Sequence, residues 1–273
     1  MNLRVSENRP ESKWEARALR SENIELKEVM ADERFVRLIE EDIYSVLPDT
    51  SVLHHYDKRA SLYDLVVSTR LYNLVMWGTS PCDYVQFACQ ALDSSRDGMF
   101  LDAGCGSMLF TAPVYVNSNR QIVAFDQSLA MLRRARERLR ELLGRVPEHI
   151  RLLQADLNDL PFRRGSFRTV LCLNVLHQFA DAKVLLSGLN ELLSESGNLY
   201  LTSLVSNDRV IGDWYIEALY RTGEFVRPRN ARELKELIVN VFGQRMNDAE
   251  KGNMAFVTAR HCPSFRLVNS VQR

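Results

Sequence analysis

The sequence predicts an α/β fold in which a mostly parallel sheet carries helices on both faces. Three observations point there. An apolar strand, Met99–Leu101, passes through Asp102 into a glycine turn, Gly104-Cys105-Gly106, and then into the helix-compatible stretch Leu109–Val116. Three further apolar runs each end on a polar residue, at Asp126, Asp156 and Asn174. Helix-period segments separate these runs, and that alternation builds parallel β-α-β units.

The glycine turn comes first because glycine takes positive φ freely and lets the backbone approach a bound nucleoside. The next strand, Gln121–Phe125, ends in Asp126. That acid follows Gly106 by about 20 residues, where nucleoside-binding α/β folds set a carboxylate on the ribose hydroxyls. Ser128 is placed to cap a helix whose Leu129, Leu132, Ala135 and Leu139 recur at helical spacing. Strands at Ile150–Ala155 and Thr169–Leu173 follow. Ligands of open α/β sheets sit outside the carboxyl ends of the strands, so Asp102, Asp126, Asp156 and Asn174 should converge on one crevice.

Beyond the fourth strand the pattern predicts a helix over Asp181–Leu193 and a strand over Asn198–Leu204. An amphipathic helix over Asn207–Arg221 should bury Ile211, Trp214, Tyr215 and Ala218. A last helix covers Ala231–Val241, and Phe242–Asn247 with Asn253–Arg260 form a terminal hairpin. These strands total seven. Upstream, the spacing of Phe35, Leu38, Ile39, Ile43 and Val46 predicts a helix over Glu33–Leu47. A long aromatic-rich helical region spans Tyr56–Trp77, and another helix covers Tyr84–Leu92. The organisation expected is a charged arm (1–30), a helical cap (31–96), a core (97–260) with a helical insertion (205–228), and a tail (261–273) in which Phe265 and Leu267 suit an edge strand.

Composition narrows the class. Thirty-five Lys and Arg balance 35 Asp and Glu, which argues against a broad nucleic-acid footprint. Arg133, Arg134, Arg136, Arg138 and Arg140 crowd one helix, but interleaved Glu137 and Glu141 read as a solvated face. The five cysteines show no CxxC or zinc-ligand spacing, so the expectation is a reduced cytoplasmic protein without a metal site. The first residues lack the apolar core of a signal peptide, and no apolar run reaches membrane-spanning length. No dimer motif stands out.

The ordered blocks LDAGCG, VAFDQSLAML and QADLNDLPFRRGSFRTVLCLNVLHQF resemble those of class I S-adenosylmethionine-dependent methyltransferases. The small-molecule group that includes ubiquinone/menaquinone-type methyltransferases is the most similar, over roughly residues 97–260. The resemblance implies a Rossmann-like seven-stranded sheet, S-adenosyl-L-methionine as cofactor and a small-molecule acceptor. It implies that Asp102 orients the glycine turn and the methionine amino group, while Gly104, Cys105 and Gly106 line the methionine portion. Asp126 would hold the ribose, with Gln127 and Met131 near the sugar and adenine. Asp156 would accept from the adenine amino group beside Leu157, and Asn174 would sit near the amino-acid end. RASLYDLVVSTRLY looks like the family's stretch preceding the core, which makes Tyr63 a contact to the methionine end or else a packing residue.

One position departs from the pattern. The family turn reads GxGxG, and its last glycine is here Met108, which either crowds the cofactor or swings into the helix core. That departure keeps a non-catalytic cofactor-binding or partner-regulating protein in view. A nicotinamide-dependent reductase fits less well, because the third glycine of GxGxxG is Leu109. His177 is the candidate general base, or else it packs against the following helix. Aromatic residues in the N-terminal layer and in 207–221 favour a planar or apolar acceptor.

Overall fold

Strands buried on both faces need unbroken apolar runs rather than alternation. FLDA, IVAFD and IRLLQ come close to such runs, interrupted inside the strands only by Asp102 and Arg151. In the computed structural model, which describes residues 26–31, 35–48, 69–94, 98–223, 226 and 228–263, they form β3 (Met99–Ala103), β4 (Ile122–Asp126) and β5 (Ile150–Gln154). β6 (Phe167–Leu173), β7 (Leu193–Leu204), β8 (Met246–Lys251) and β9 (Met254–Arg260) complete the seven expected strands. Two more, β1 (Arg37–Glu40) and β2 (Ile43–Ser45), extend the sheet to nine, in the order β1-β2-β5-β4-β3-β6-β7-β9-β8. Neighbours from β2 through β7 run parallel, and the outer pairs β1/β2, β7/β9 and β9/β8 run antiparallel. The order reverses direction between β3 and β6, and a crevice opens at such a switch point.

Helices cover both faces. α1 (Pro81–Ser94) and α3 (Leu129–Leu143) bury Phe87, Ala91, Leu132 and Leu139 on one face, together with the short α2 (Ala112–Tyr115). α4 (Ala182–Leu192) and α6 (Ala231–Phe242) bury Leu185, Leu189, Ile238 and Phe242 on the other. Successive residues of β3 split between these layers, Phe100 to the first and Leu101 to the second, as the two-residue period of a strand requires. α5 (Val210–Arg221) lies outside both, against the segment Asn73–Trp77. No helix of the described residues is long and apolar enough to cross a membrane.

The helix expected over Glu33–Leu47 is instead the β1–β2 hairpin. Its apolar spacing fits a helix, but two tertiary interactions override it. β2 pairs with β5 through Ile43–Leu152, Tyr44–Leu153 and Ser45–Gln154. The acidic turn is then gripped by α3. Arg133 Nε donates to Glu40 Oε1 at 2.9 Å, Arg136 Nη1 to Glu40 Oε2 at 3.2 Å and Arg140 Nη2 to Asp42 Oδ2 at 2.6 Å. The Arg133 hydrogen bond, against the opposing effect of burial, holds the Glu40 carboxyl below its usual range. The arginine-rich face is therefore a docking surface within the chain and not simply a solvated one.

Other expectations shift less. The end of the charged arm is not peripheral, since Leu26, Val29 and Met30 are buried in the core. The helix foreseen from Leu109 begins only at Ala112. On α5 the buried residues are Gly212 and Ile216, whereas Ile211 is exposed and Trp214 is 69% exposed. Most of the Tyr56–Trp77 region, and Phe265 and Leu267 of the tail, lie outside the described residues.

α5 is anchored through one side chain. Asn253, fully buried in the β8–β9 turn, donates its backbone N–H to Trp77 O at 2.7 Å and accepts from Val205 N at 2.8 Å. Its Nδ2 donates to Val205 O at 3.0 Å and to Asp213 Oδ1 at 2.6 Å. Removing the amide takes a donor from the Val205 carbonyl and from the half-buried Asp213 carboxylate, which keeps Asn207 N and Asp208 N. Asn253→Ala should therefore cost about 2–4 kcal/mol in urea unfolding; a loss under about 0.5 kcal/mol would show that water replaces the amide.

Candidate active site

The site grows from the carboxyl ends of β3 and β4. The turn after β3 contains three residues at positive φ: Gly104 (+74°), Gly106 (+52°) and Met108 (+54°). A Cβ on Gly104 would stand 2.7 Å from Val175 Cγ2, so that glycine is required by contact as well as by conformation. A Cβ on Gly106 would meet nothing within 4 Å, because this residue faces open space. Met108 adopts the glycine conformation with a side chain, at a cost of about 1–2 kcal/mol. Its side chain is 1% exposed and joins the core beside Leu132 and Ala135, so the residue swings inward.

β4 holds this turn in place. Phe125 O accepts from both Gly104 N and Cys105 N at 2.9 Å. Asp126 Oδ2 accepts from Gly106 N at 2.9 Å, and Oδ1 accepts from Ser128 N at 2.9 Å. Ser128 Oγ in turn caps α3 by accepting from Met131 N at 3.2 Å. The residue that orients the glycine turn is thus Asp126, and not Asp102 as the sequence suggested.

Asp102 is buried, with different partners. Its Oδ2 accepts from Tyr115 Oη at 2.8 Å and from Thr111 Oγ1 at 3.4 Å. Burial pushes its carboxyl up to about 7, the two hydroxyls pull it down, and the Asp126 charge adds a push upward. Burial, with Asp102 and Asp126 nearby, also pushes the Cys105 thiol well up, so it stays neutral. Asn174 ends β6 at φ +58°, a conformation asparagine tolerates. Its Oδ1 accepts from Thr202 Oγ1 at 2.9 Å.

These groups surround a cavity of about 340 Å³. Asp102, Gly104, Cys105, Gly106, Asp126, Gln127, Met131, Leu157 and Asn174 all line it. Two expected residues among those described do not. Asp156 Oδ1 is taken up by its own loop, accepting from Asn158 N at 2.8 Å and Asn158 Nδ2 at 3.0 Å, and only the neighbouring Leu157 reaches the cavity. His177 borders a separate small space with Leu204, Ile216 and Arg229. Burial, and then the Arg229 charge, push its imidazole down to about 3, too weak a base for proton abstraction at neutral pH. Tyr63, like His54 and His55, lies outside the described residues.

A family model described as a methyltransferase domain matches residues 101–201. Residues 101–201 are thus similar to a methyltransferase domain. Over 105 residues, 38% of its length, the chain is 31% identical to malonyl-[acyl-carrier protein] O-methyltransferase of Legionella pneumophila, and it spans 35% of that relative. Its fold is similar to geranyl diphosphate C-methyltransferase of Streptomyces coelicolor (TM-score 0.55, 15% identity, 87% of this chain and 90% of that one). It is also similar to an S-adenosylmethionine-dependent methyltransferase of Thermotoga maritima (TM-score 0.55, 15% identity, 76% and 98%). At these identities the structural likeness is one of fold.

Within the matched residues 101–201, several site residues carried no sequence signal strong enough to find. Tyr115 and Thr111 sit in a stretch that reads as helix packing, yet they are the donors to Asp102. Phe110, Gln178 and Phe179 line the cavity from loops whose course the local pattern does not fix. The Asp102 carboxyl yields a pH test. A carboxyl near 4 in the unfolded chain and near 7 in the native one binds its proton more tightly when folded. That contribution is complete below about pH 4 and is lost as pH rises through about 7. Asp102→Asn does not titrate, so relative to wild type it should gain stability between about pH 5 and about pH 8 in urea unfolding. An equal gap at both pH values would mean that Asp102 is ionised in the native state throughout.

Proposed function

We propose that this chain transfers a methyl group from S-adenosyl-L-methionine to a small-molecule acceptor. The observation that carries this reading is the pairing of an open glycine turn with Asp126 at the end of β4, both on one cavity. The residues fit the cofactor. Gly106 leaves room where a Cβ would stand, and Gly104 lets Val175 close the wall behind it. Both Asp126 oxygens accept backbone N–H groups, and a carboxylate oxygen accepts more than one hydrogen bond, which suits a ribose diol.

When bound, the cofactor supplies an activated methyl on a sulfonium, and the acceptor forms the new bond as carbon–sulfur breaks. The chain's own contribution is positioning and exclusion of water. Asp102 Oδ1, which accepts neither the Tyr115 nor the Thr111 bond, is the oxygen suited to the amino group. An ammonium placed there favours the ionised carboxyl, so cofactor binding should release a proton near neutral pH. Asn174, Gln127, Met131 and Leu157 complete the cofactor wall. Asp156 shapes the loop that carries Leu157. His177 has no part in proton transfer, and the acceptor must give up its proton by another route or carry none.

Phe110 and Phe179 on the cavity wall support a planar or apolar acceptor. Phe110 is braced from behind by Tyr84 of α1, with ring centroids 4.7 Å apart and planes 11° apart. That contact supports a reading in which the N-terminal layer shapes the acceptor side. Five free cysteines support a reduced, cytoplasmic setting. The inward turn of Met108 removes the reason for favouring a non-catalytic protein.

The decisive experiment is calorimetric titration with S-adenosylmethionine and S-adenosylhomocysteine beside a nicotinamide control. Both sulfur cofactors should bind with Kd on the order of 1–100 μM, and Asp126→Ala should weaken them at least about 100-fold. Binding of neither by the wild-type chain would overturn the reading.

A further inference from the structure

The turn that faces the cofactor cavity lacks a glycine where its conformation calls for one. Met108 sits at φ +54°, and this conformation brings its Cβ toward the carbonyl oxygen of Ser107. A side chain stays in this region only where its surroundings over-determine it. The peptide between Ser107 and Met108 is held at both ends. Its N–H donates to Cys105 O at 3.0 Å. Its carbonyl, on the buried Ser107, accepts from Arg138 Nη1, which reaches back from the third turn of α3. The Met108 side chain is held as well, beside Leu132 and Ala135 of the same helix.

We propose that Arg138 and Met108 act as a pair that replaces the third glycine, with Arg138 as the positioning residue that keeps the turn in its glycine-like shape. The idea rests on the cofactor reading of the site and adds to it a residue that touches neither cofactor nor acceptor. The chemistry fits an arginine. Its planar fork reaches a carbonyl 31 residues away along a part-buried path while remaining charged. A charge-assisted bond to a backbone carbonyl fixes the plane of that peptide, and hence φ at Met108. Arg133, Arg136 and Arg140 grip the hairpin turn at Glu40–Asp42, and of these four arginines of α3 Arg138 is the one directed at the glycine turn.

A double-mutant cycle separates this role from general stabilisation. S-adenosylhomocysteine affinity is measured calorimetrically for wild type, Arg138→Ala, Arg138→Lys, Met108→Gly and the Arg138→Ala/Met108→Gly double variant. Arg138→Ala should weaken binding about tenfold in the methionine background and less than about threefold once position 108 is glycine, because glycine holds the turn unaided. Arg138→Lys should recover most of the loss. The same cycle is read in urea unfolding without ligand, where the Arg138→Ala shift should shrink in the glycine background. If Met108→Gly does not fold, Met108→Asn replaces it, since asparagine also tolerates positive φ. Equal losses in both backgrounds would overturn the proposal. Absence of binding by wild type, with the coupling still present in unfolding, would instead overturn the cofactor reading and leave the pair standing.

Discussion

The site depends on one carboxylate that accepts from two backbone segments at once. Asp126 takes Gly106 N–H on one oxygen and Ser128 N–H on the other. The first bond fixes the glycine turn after β3, and the second fixes the entry to α3. Such bonds to a charged acceptor are about twice as strong as neutral ones. Neutralising the acid would loosen the turn, the helix start and the cavity wall between them together. β4 adds Phe125 O, which holds Gly104 and Cys105. The end of one buried strand thus dictates the shape of its neighbour's turn.

α3 transmits that order outward. It begins at the Asp126–Ser128 junction, packs Leu132, Ala135 and Leu139 against the sheet, and sends arginines in two directions. Arg133, Arg136 and Arg140 draw in the acidic turn of the β1–β2 hairpin, and Arg138 reaches the glycine turn. The hairpin also connects back to the cavity. Ser45 Oγ donates to Gln154 Oε1 at 3.2 Å, and Gln154 Nε2 donates to Gln127 O at 3.1 Å. An addition at the sheet edge therefore steadies a residue of the cavity wall. On the far side, Asn253 joins α5, the β8–β9 turn and Trp77 into a second brace, which supports the aromatic layer behind Phe110.

The parts that were legible in the sequence share a local cause. Apolar runs ending in acid gave the parallel strands, because burial on both faces leaves no room for alternation. The Ser128 cap gave the start of α3, and the spacing of Leu132, Ala135 and Leu139 gave most of its buried face. Where the reading failed, a distant partner decided. Leu38, Ile39 and Ile43 have helical spacing, yet pairing with β5 and the arginines of α3 make a hairpin of them. Trp214 looked like a core residue of an amphipathic helix, but Gly212 is the face that meets Asn253, where a Cβ would stand 1.9 Å from its Oδ1. His177 looked like a base beside the site, but the turn after β6 sets its Nδ1 to accept from Leu204 N, in a separate small space that Arg229 also borders.

By itself, the sequence determined the parallel sheet, the place of the crevice and nine of the residues that line it, because these follow from hydrophobic runs, glycine conformation and strand ends. It did not determine which carboxylate does what. Asp102, Asp126 and Asp156 stand at equivalent strand ends, and only their partners tell them apart. One is buried against Tyr115 and Thr111, one clamps the turn, and one is used up by Asn158. The tertiary structure also decided that Met108 faces the core and that Arg138 faces the turn. The physical reason is range. Backbone preference and burial are written in neighbours a few residues apart, whereas protonation, orientation and hydrogen-bond partners are set by groups that meet only once the chain has folded.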